Sequence, residues 1–402
     1  MDNVIIVGGG AREHAIAKKL QESSRVERIC HMGGTNAGLQ MIGPYMGSGY
    51  TLQPGGLRDH ARRFGIKEID LVVIGPEWPL LQGWSDAIRR EGIPVAGPSQ
   101  EAYRLEGDKL WAKKFMIRHG IPTPDFKVFS DHEEAKAHAG DFGYPVIVKP
   151  EIGRGGKSIT VAYTEEEALY AMARCAIRSD CGHTILERYV EGEERSVFAL
   201  VFENGITRFL PTARDYKTLT ADPHSPMTGG MGSVAPVEAP GDEEIITRTL
   251  EGLKEEGKPY TGFLYVGLKG EHVLEYNVRL GDPEAQAILP LIKDDFFEVL
   301  VGATSHELQF YPFHTCAVVL ASAEYPLSGD RIFPISGDLM EDHVLHGHTV
   351  WWGGKIHGMP GRTLTILGKG DTLEAARESA YRHAAYIHFE GKRFRKDIGR
   401  VR

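Results

Sequence analysis

The chain has 402 residues, more than one hydrophobic core ordinarily organises, so two or more domains are expected. With 42% hydrophobic and 25% charged residues it falls among globular chains and outside the disordered and fibrous classes. A formal charge of −9 argues against a general nucleic-acid binder, yet leaves room for a small anion held in a local basic pocket.

In chain order, Val4–Val7 reads as a buried strand, Gly8–Gly10 as a turn and Ala11–Gln21 as a helix. Further strands over Val26–His31, Asp70–Ile74 and Ile93–Ala96, with a helix over Leu81–Glu91, complete a βαβ rhythm that predicts a parallel sheet. Glu101–His119 reads as one long helix stopped by Gly120 and Pro122. A compact α+β block follows. Its strands lie near Phe126–Phe129, Val146–Lys149, Ser158–Ala162 and Thr184–Glu187, and its helices cover His132–Ala139 and Glu165–Ala176. Strand-like runs over Ser196–Phe202, Ile206–Pro211, Phe263–Leu268 and Val273–Tyr276 are joined by long Gly- and Pro-rich connections, which are more often functional than idle. From His314 onward come strands, hairpin turns and a helix over Asp371–Tyr386. Cys30, Cys175, Cys181 and Cys316 form no C-x-x-C pair and no disulfide framework. Neither a signal-peptide core nor an apolar run of membrane-spanning length is present, so a soluble cytoplasmic protein is expected.

Two glycine-rich segments imitate nucleotide motifs. Gly8-Gly9-Gly10-Ala11-Arg12-Glu13 has Glu13 at the third glycine position of a dinucleotide fingerprint, and no acid ends the second strand. A nicotinamide cofactor is therefore disfavoured, and a helix N-terminus open to phosphate is the weaker reading left. Gly153–Ser158 resembles the end of a P-loop but runs into a strand, Ile159-Thr160-Val161, so it is no Walker loop. As a flexible hairpin with Arg154 and Lys157 it is expected to fold over phosphates.

Glu275-Tyr276-Asn277 is more telling. Strand alternation puts Glu275 and Asn277 on one face, two hard oxygen donors suited to Mg²⁺, followed by the guanidinium of Arg279. The dull alternative is a polar strand face. Arg279–Glu284 is dense in charge, and Thr228-Gly229-Gly230-Met231-Gly232 is a loop whose backbone amides are expected to approach a ligand closely.

The order Lys109, Lys149, glycine-rich hairpin, Glu187/Glu194 and Glu275-x-Asn277 resembles the ATP-grasp ligases, and within them the phosphoribosylamine–glycine ligase family. The specific parts are Gly75-Pro76-Glu77-x-Pro79-Leu80, Gly97-Pro98-Ser99, Leu105-Glu106-Gly107-x-Lys109, Thr228–Gly232 with Pro236, and Asn277–Gln286. Leu280, Tyr216 and Ser158 depart from the usual Phe, His and Gly. The resemblance implies an α/β and α+β multidomain chain, an ATP-grasp fold preceded by a Rossmann-like parallel-sheet domain. It implies an N-terminal domain over 1–103, a main ATP-grasp domain over 104–120 and 191–313, a lid over 121–190 and a C-terminal domain over 314–402. It further implies ATP, glycine and 5-phosphoribosylamine as reactants, with no nucleic-acid or membrane partner, and leaves the oligomeric state open. Lys109, Lys149, Gly155, Gly156 and Lys157 are expected at the nucleotide phosphates, Glu187 and Val190 at the adenine hinge, and Glu194 at the ribose. Glu275 and Asn277 are expected to hold Mg²⁺ or Mn²⁺. Arg279, Asp282, Lys217 and Asp215 are the expected catalytic groups. Glu77, Pro79, Ser99, Thr228, Gly229, Gly230, Met231 and Gly232 are expected to line the acceptor site.

Overall fold

The computed structural model describes residues 2–34, 36–47, 56–152, 159–177, 182–327 and 329–400. Strands β1 (Asp2–Val7), β2 (Val26–Met32), β3 (Leu71–Ile74) and β4 (Val95–Ala96) form a parallel sheet in the order β2-β1-β3-β4. Val4–Val7 and Leu71–Ile74, paired in register, are each at most 2% exposed, because a parallel sheet is covered on both faces. The helix expected over Leu81–Glu91 is two short ones, Glu77–Leu81 and Trp84–Arg90, parted where Gly83 takes φ +73°. The long helix expected over Glu101–His119 is also divided, into Arg104–Gly107 and Lys109–Arg118. Asp108 leaves helical geometry and its carboxylate accepts the Trp111 amide at 2.8 Å, so it caps the second helix rather than continuing the first.

Strands β5 (Phe126–Phe129), β6 (Val146–Pro150), β7 (Thr160–Ala162) and β8 (Thr184–Arg188) make an antiparallel sheet in the order β5-β8-β6-β7. The helices His132–Ala137 and Glu165–Ile177 pack against it. Its core, built around Phe129, Val146, Val148, Met172 and Leu186, draws on this unit alone.

The rest of the chain is organised by one eight-stranded sheet. It begins with β9 (Glu194–Val201), β10 (Thr207–Asp215), β11 (Gly232–Ala235), β12 (Gly262–Lys269) and β13 (His272–Asn277). Beyond these come β14 (His314–Ala321), β15 (Phe333–Pro334), β16 (Val344–His346), β17 (Thr349–Trp352), β18 (Lys355–Gly358) and β19 (Arg362–Gly370). The order is β13-β12-β9-β10-β11-β14-β19-β16, while β15-β18-β17 forms a small separate sheet. The C-terminal strands thus extend the central sheet through the β11–β14 pairing, with Val234 opposite Cys316. The helix Leu373–Ala385 packs against β14 and β19, so closely that a Cβ on Gly368 would lie 2.0 Å from the Ala376 carbonyl oxygen. No described helix is long and apolar enough to cross a membrane.

Candidate active site

Three cavities adjoin where the small antiparallel sheet, the central sheet and the N-terminal sheet meet. One, of about 290 Å³, is lined by Lys109, Lys113, Lys149, Lys217, Glu275, Asn277, Arg279 and Asp282. It shares Lys149, Ile159, Lys217, Leu274 and Glu275 with a second, of about 380 Å³. A third, of about 350 Å³, touches the first through Arg12, Asp282 and His348.

The second cavity has apolar walls from Ile147, Val161, Tyr163, Tyr189, Val190 and Leu274, with Glu194 at its polar side. Apolar walls with few polar groups suit a flat heterocycle with a hydroxylated appendage. Glu187 borders this space, but its carboxylate does not face it. It is 1% exposed, with one oxygen 2.8 Å from Lys149 Nζ and the other ion-paired to Lys113. Burial acts to raise its pKa, but the two ammonium groups outweigh that and hold it below the usual carboxylate value. The Glu187 carboxylate is therefore a clamp on two lysines. Lys113 was missed in the sequence, although it lies four residues after Lys109 on the same helix face. The break at Asp108 sets Lys109 in the first turn of that helix, beside the cavity. Gly155, Gly156 and Lys157 lie outside the described residues.

β13 presents Glu275 and Asn277 to the first cavity, on either side of Tyr276, whose hydroxyl hydrogen-bonds Thr249 at 2.9 Å. Across on β12, Gly267 and Tyr265 stand opposite them, so no second acid faces the pair from that strand. Lys217 Nζ donates to Glu275 Oε1 at 2.9 Å. Burial alone would raise the Glu275 pKa; Lys217, and more distantly Lys149 and Lys109, overcome this and bring it to about 2. A permanently ionised carboxylate and an amide oxygen on one strand face fit Mg²⁺ or Mn²⁺, which keep water and phosphate oxygens as their remaining ligands. Among the described residues no group of three or more His, Cys, Asp or Glu side chains could hold a metal, so a closed all-protein cage is not what this site offers.

Arg279 follows on the same run and is 7% exposed. Its Nη2 bonds Glu77 Oε1 at 2.5 Å and Glu106 Oε1 at 2.8 Å, and Glu106 also accepts the Val278 amide. Burial would lower its pKa, but Glu106 and Glu77 together raise it, so the guanidinium is permanently charged. Asp282 accepts from Gln286 at 2.6 Å and pairs with Arg362 at 3.3 Å. Arg362 reaches in from β19, and its Nη1 also donates to the carbonyls of Gly229, at 2.6 Å, and Gly230, at 3.3 Å. Arg12, 7% exposed, lines both the first and third cavities and donates to the Leu280 carbonyl at 3.0 Å. Glu106, Lys113, Arg12, Glu284 and Arg362 were not singled out in the sequence as site residues.

Several expectations are corrected. Ser99 lines none of the three cavities; its Oγ accepts the Ala102 amide at 3.1 Å and so shapes a turn. Met231 is 0% exposed against Val319, Ala321 and Tyr325, and Gly232 is paired within β11, so both belong to the core. The amides of the Thr228–Gly232 loop are also engaged: Gly229 donates to Tyr325 Oη, Gly230 to Thr228 Oγ1 and Met231 to the Tyr216 carbonyl. Thr228 and Gly229 do line the first cavity, as does Glu77, and Pro79 lines the third. Gly8-Gly9-Gly10 borders the third cavity, but the Gly10 amide is bonded to Glu13 Oε2 at 2.6 Å. Glu13 stands where a dinucleotide fingerprint has glycine because it turns back to cap its own helix.

A lysine-rich, hard-oxygen cleft between a four-stranded unit and a larger sheet defines an ATP-grasp protein. The chain belongs to the phosphoribosylglycinamide synthetase family: the models for its N, ATP-grasp (A) and C domains match residues 2–106, 107–285 and 315–401. It is 37% identical to a phosphoribosylamine–glycine ligase of Caldanaerobacter subterraneus subsp. tengcongensis, covering 98% of this chain and 99% of that one. The crystal structure of a phosphoribosylamine–glycine ligase from Thermotoga maritima superposes with a TM-score of 0.83 at 33% identity, over 98% of this chain and 100% of that one. The biotin carboxylase domain of the Hydrogenobacter thermophilus 2-oxoglutarate carboxylase, solved with MgADP and bicarbonate, has a TM-score of 0.69 at 17% identity. That likeness covers 98% of this chain and 91% of that one and is one of fold.

Proposed function

We propose that the chain joins glycine to 5-phosphoribosylamine at the expense of ATP, giving glycinamide ribonucleotide, ADP and phosphate in purine biosynthesis. The observation that carries this reading is one cleft that holds four lysines, the metal-competent pair Glu275 and Asn277 and the guanidinium groups of Arg279 and Arg12, in a chain matched end to end by the family. A carboxylate does not acylate an amine unaided. The γ-phosphoryl group passes from ATP to a glycine carboxylate oxygen, releasing ADP and forming glycyl phosphate. The ribosyl amine nitrogen then attacks the carbonyl carbon, the carbon–oxygen bond to phosphate breaks, and the nitrogen sheds a proton.

In this reading Tyr189, Val190 and Glu194 receive the nucleoside, while Lys109 and Lys149 face the phosphates, with Glu187 and Lys113 fixing Lys149. Glu275 and Asn277 would hold Mg²⁺ or Mn²⁺, which supplies charge neutralisation at the transferred phosphoryl group. Arg279, kept charged and oriented by Glu77 and Glu106, holds the carboxylate that becomes phosphorylated. Arg12, Asp282, Pro79 and the Gly8–Gly10 turn line the neighbouring cavity, which is of a size to receive the phosphorylated sugar. A substrate drop-out assay tests the assignment. ADP release is expected only with glycine and phosphoribosylamine together, in the presence of Mg²⁺. Equal turnover on bicarbonate or formate in place of glycine would reject it in favour of a carboxylating or formylating relative.

A further inference from the structure

Beyond the Leu373–Ala385 helix, the run Arg395–Gly399 folds back against the segment that follows β10. Arg395 is 7% exposed and lines the second cavity, the one given above to the nucleoside. Its Nε and Nη2 donate to the two carboxylate oxygens of Asp397, at 2.9 and 2.6 Å. Its Nη1 donates to the carbonyl and hydroxyl oxygens of Thr218, at 3.1 and 2.7 Å. The guanidinium also lies over the Tyr216 ring, 5.2 Å from its centre, and the Tyr216 hydroxyl in turn accepts the Gly399 amide at 3.0 Å. A side chain so committed to protein partners has little left to grip a ligand. Its place in the cavity wall is that of a brace.

What it braces is the loop Thr218–Met227. Thr218 and Met227 bridge across the loop base, and with Ala221 and Pro223 they form one wall of the cavity. Residues Thr220–His224 are exposed, so apolar packing does little to place the loop and its polar anchors decide. Lys217 is held separately, because its carbonyl accepts both the amide of Thr228, at 2.8 Å, and its hydroxyl, at 2.7 Å. Tyr216 and Thr218 thus turn to the C-terminal run, while Lys217 between them turns to Glu275. The run has firm anchors of its own. Ile398 is 0% exposed in the C-terminal core, and the Tyr381 hydroxyl donates to the Arg395 carbonyl at 2.7 Å and accepts the Ile398 amide at 3.0 Å.

We propose that Arg395, steered by Asp397, is a positioning residue for ATP: the C-terminal run sets the Thr218–Met227 wall of the nucleotide cavity, an inference that rests on the ligase reading above. The same wall is what the β5–β8 unit meets, since Tyr163 Oη donates to the Pro223 carbonyl at 3.4 Å. A wall fixed from the C-terminal side gives that unit a stationary surface to close against.

The test compares wild type with Arg395→Gln. KM for ATP is expected to rise about tenfold, as for loss of a charge-assisted hydrogen bond. The kcat and the KM for glycine should stay within about twofold of wild type, the pattern of lost binding rather than lost chemistry. Hydrogen exchange without nucleotide gives a second readout. Amides of the loop, Leu219 and Thr220 among them, should exchange faster in the variant, while those of β14 and β19 should not change. An ATP KM within about twofold of wild type, or unchanged loop exchange, overturns the proposal. Exchange that quickens equally in β14 and β19 overturns it as well, because Arg395 then supports the whole C-terminal part. If Arg395→Gln does not fold, Asp397→Asn decides on the same two readouts, since it keeps the guanidinium but removes the charge that steers it. Should wild type release no ADP on glycine and phosphoribosylamine, the ligase reading itself fails, which is a distinct result.

Discussion

Lys113, Glu187 and Lys149 form a buried line of alternating charge behind the expected phosphate site. Burial pulls the Lys113 pKa down and Glu187 pulls it back, leaving it at about 8. When Lys113 is charged, Glu187 is shared between two cations, and more of the Lys149 charge remains for a phosphate. When Lys113 loses its proton, Glu187 leans on Lys149 alone. The sign follows: kcat/KM for ATP should fall as pH rises through about 8. Lys113→Arg keeps the charge and should move that alkaline limb upward; a limb unmoved in the Arg variant would assign it to another group. Truncating Lys113 to Met instead leaves Glu187 half-paired, at about 3–5 kcal/mol of stability. Glu275 offers a separate test. Glu275→Gln retains an acceptor for Lys217, so the protein should fold, but it removes the negative charge opposing a metal. Turnover should drop on the order of 10²-fold, roughly 2.7 kcal/mol, and the Mg²⁺ requirement should shift to higher concentration. Near-normal turnover with unchanged Mg²⁺ dependence would leave Glu275 a polar strand residue paired with Lys217.

At the scale of single elements, periodicity was a good guide where one element's own pattern decides the outcome. Val4–Val7 and Leu71–Ile74 are apolar throughout and became central parallel strands. Glu275 and Asn277 share a face because strand alternation leaves no other choice. The helix break at Asp108 was missed because apolar periodicity runs across it, while the cap depends on one side chain bonding a backbone amide three residues on. β10 runs on to Asp215, past its expected end at Pro211, because β11 pairs with Arg214 and Asp215, and β11 lies seventeen residues further along the chain. Met231 shows the converse: set among glycines it reads as part of a ligand loop, yet the sheet claims it as core. Arg362 left no local signal. Its position at the start of β19 matters only once β14 and β19 join the central sheet and bring it against Gly229 and Asp282. Which way the Glu187 carboxylate points was not legible either, because β8 is buried on both faces and alternation does not decide it.

Across the whole molecule, the apolar cores divide the chain unevenly. One cluster joins Ile5 and Val72 of the N-terminal sheet to Phe115, Val197 and Leu264; another joins Val4 to Phe198, Ala317 and Leu345. A third ties Ala37 and Val234 to the C-terminal strands. These three bind the N-terminal, central and C-terminal parts into one body, whereas the unit carrying β5–β8 keeps a core of its own. Among the described residues its links to the body include polar pairs, such as Lys113 with Glu187 and Lys149 Nζ with the Leu274 carbonyl at 3.4 Å, and the tilted ring contact of Tyr163 with His224. A small core with polar attachments should open at lower free energy than the body. The cavity proposed for the nucleotide is walled from both sides, by Ile147, Val161 and Tyr189 on one and by Leu274 and Met227 on the other, so opening the unit would take that cavity apart. A ligand at 100 times its Kd then opposes that opening by about 2.7 kcal/mol, close to a hundredfold in population. Hydrogen exchange followed by mass spectrometry reads this directly. Without nucleotide, amides of β6 and β8 should exchange faster than those of β14 and β19, and with a non-hydrolysable ATP analogue and Mg²⁺ those of β6 and β8 should slow by about a hundredfold. Equal exchange across both sheets without nucleotide would mean that the small unit does not open separately, and no slowing in β6 and β8 on adding nucleotide would place it elsewhere.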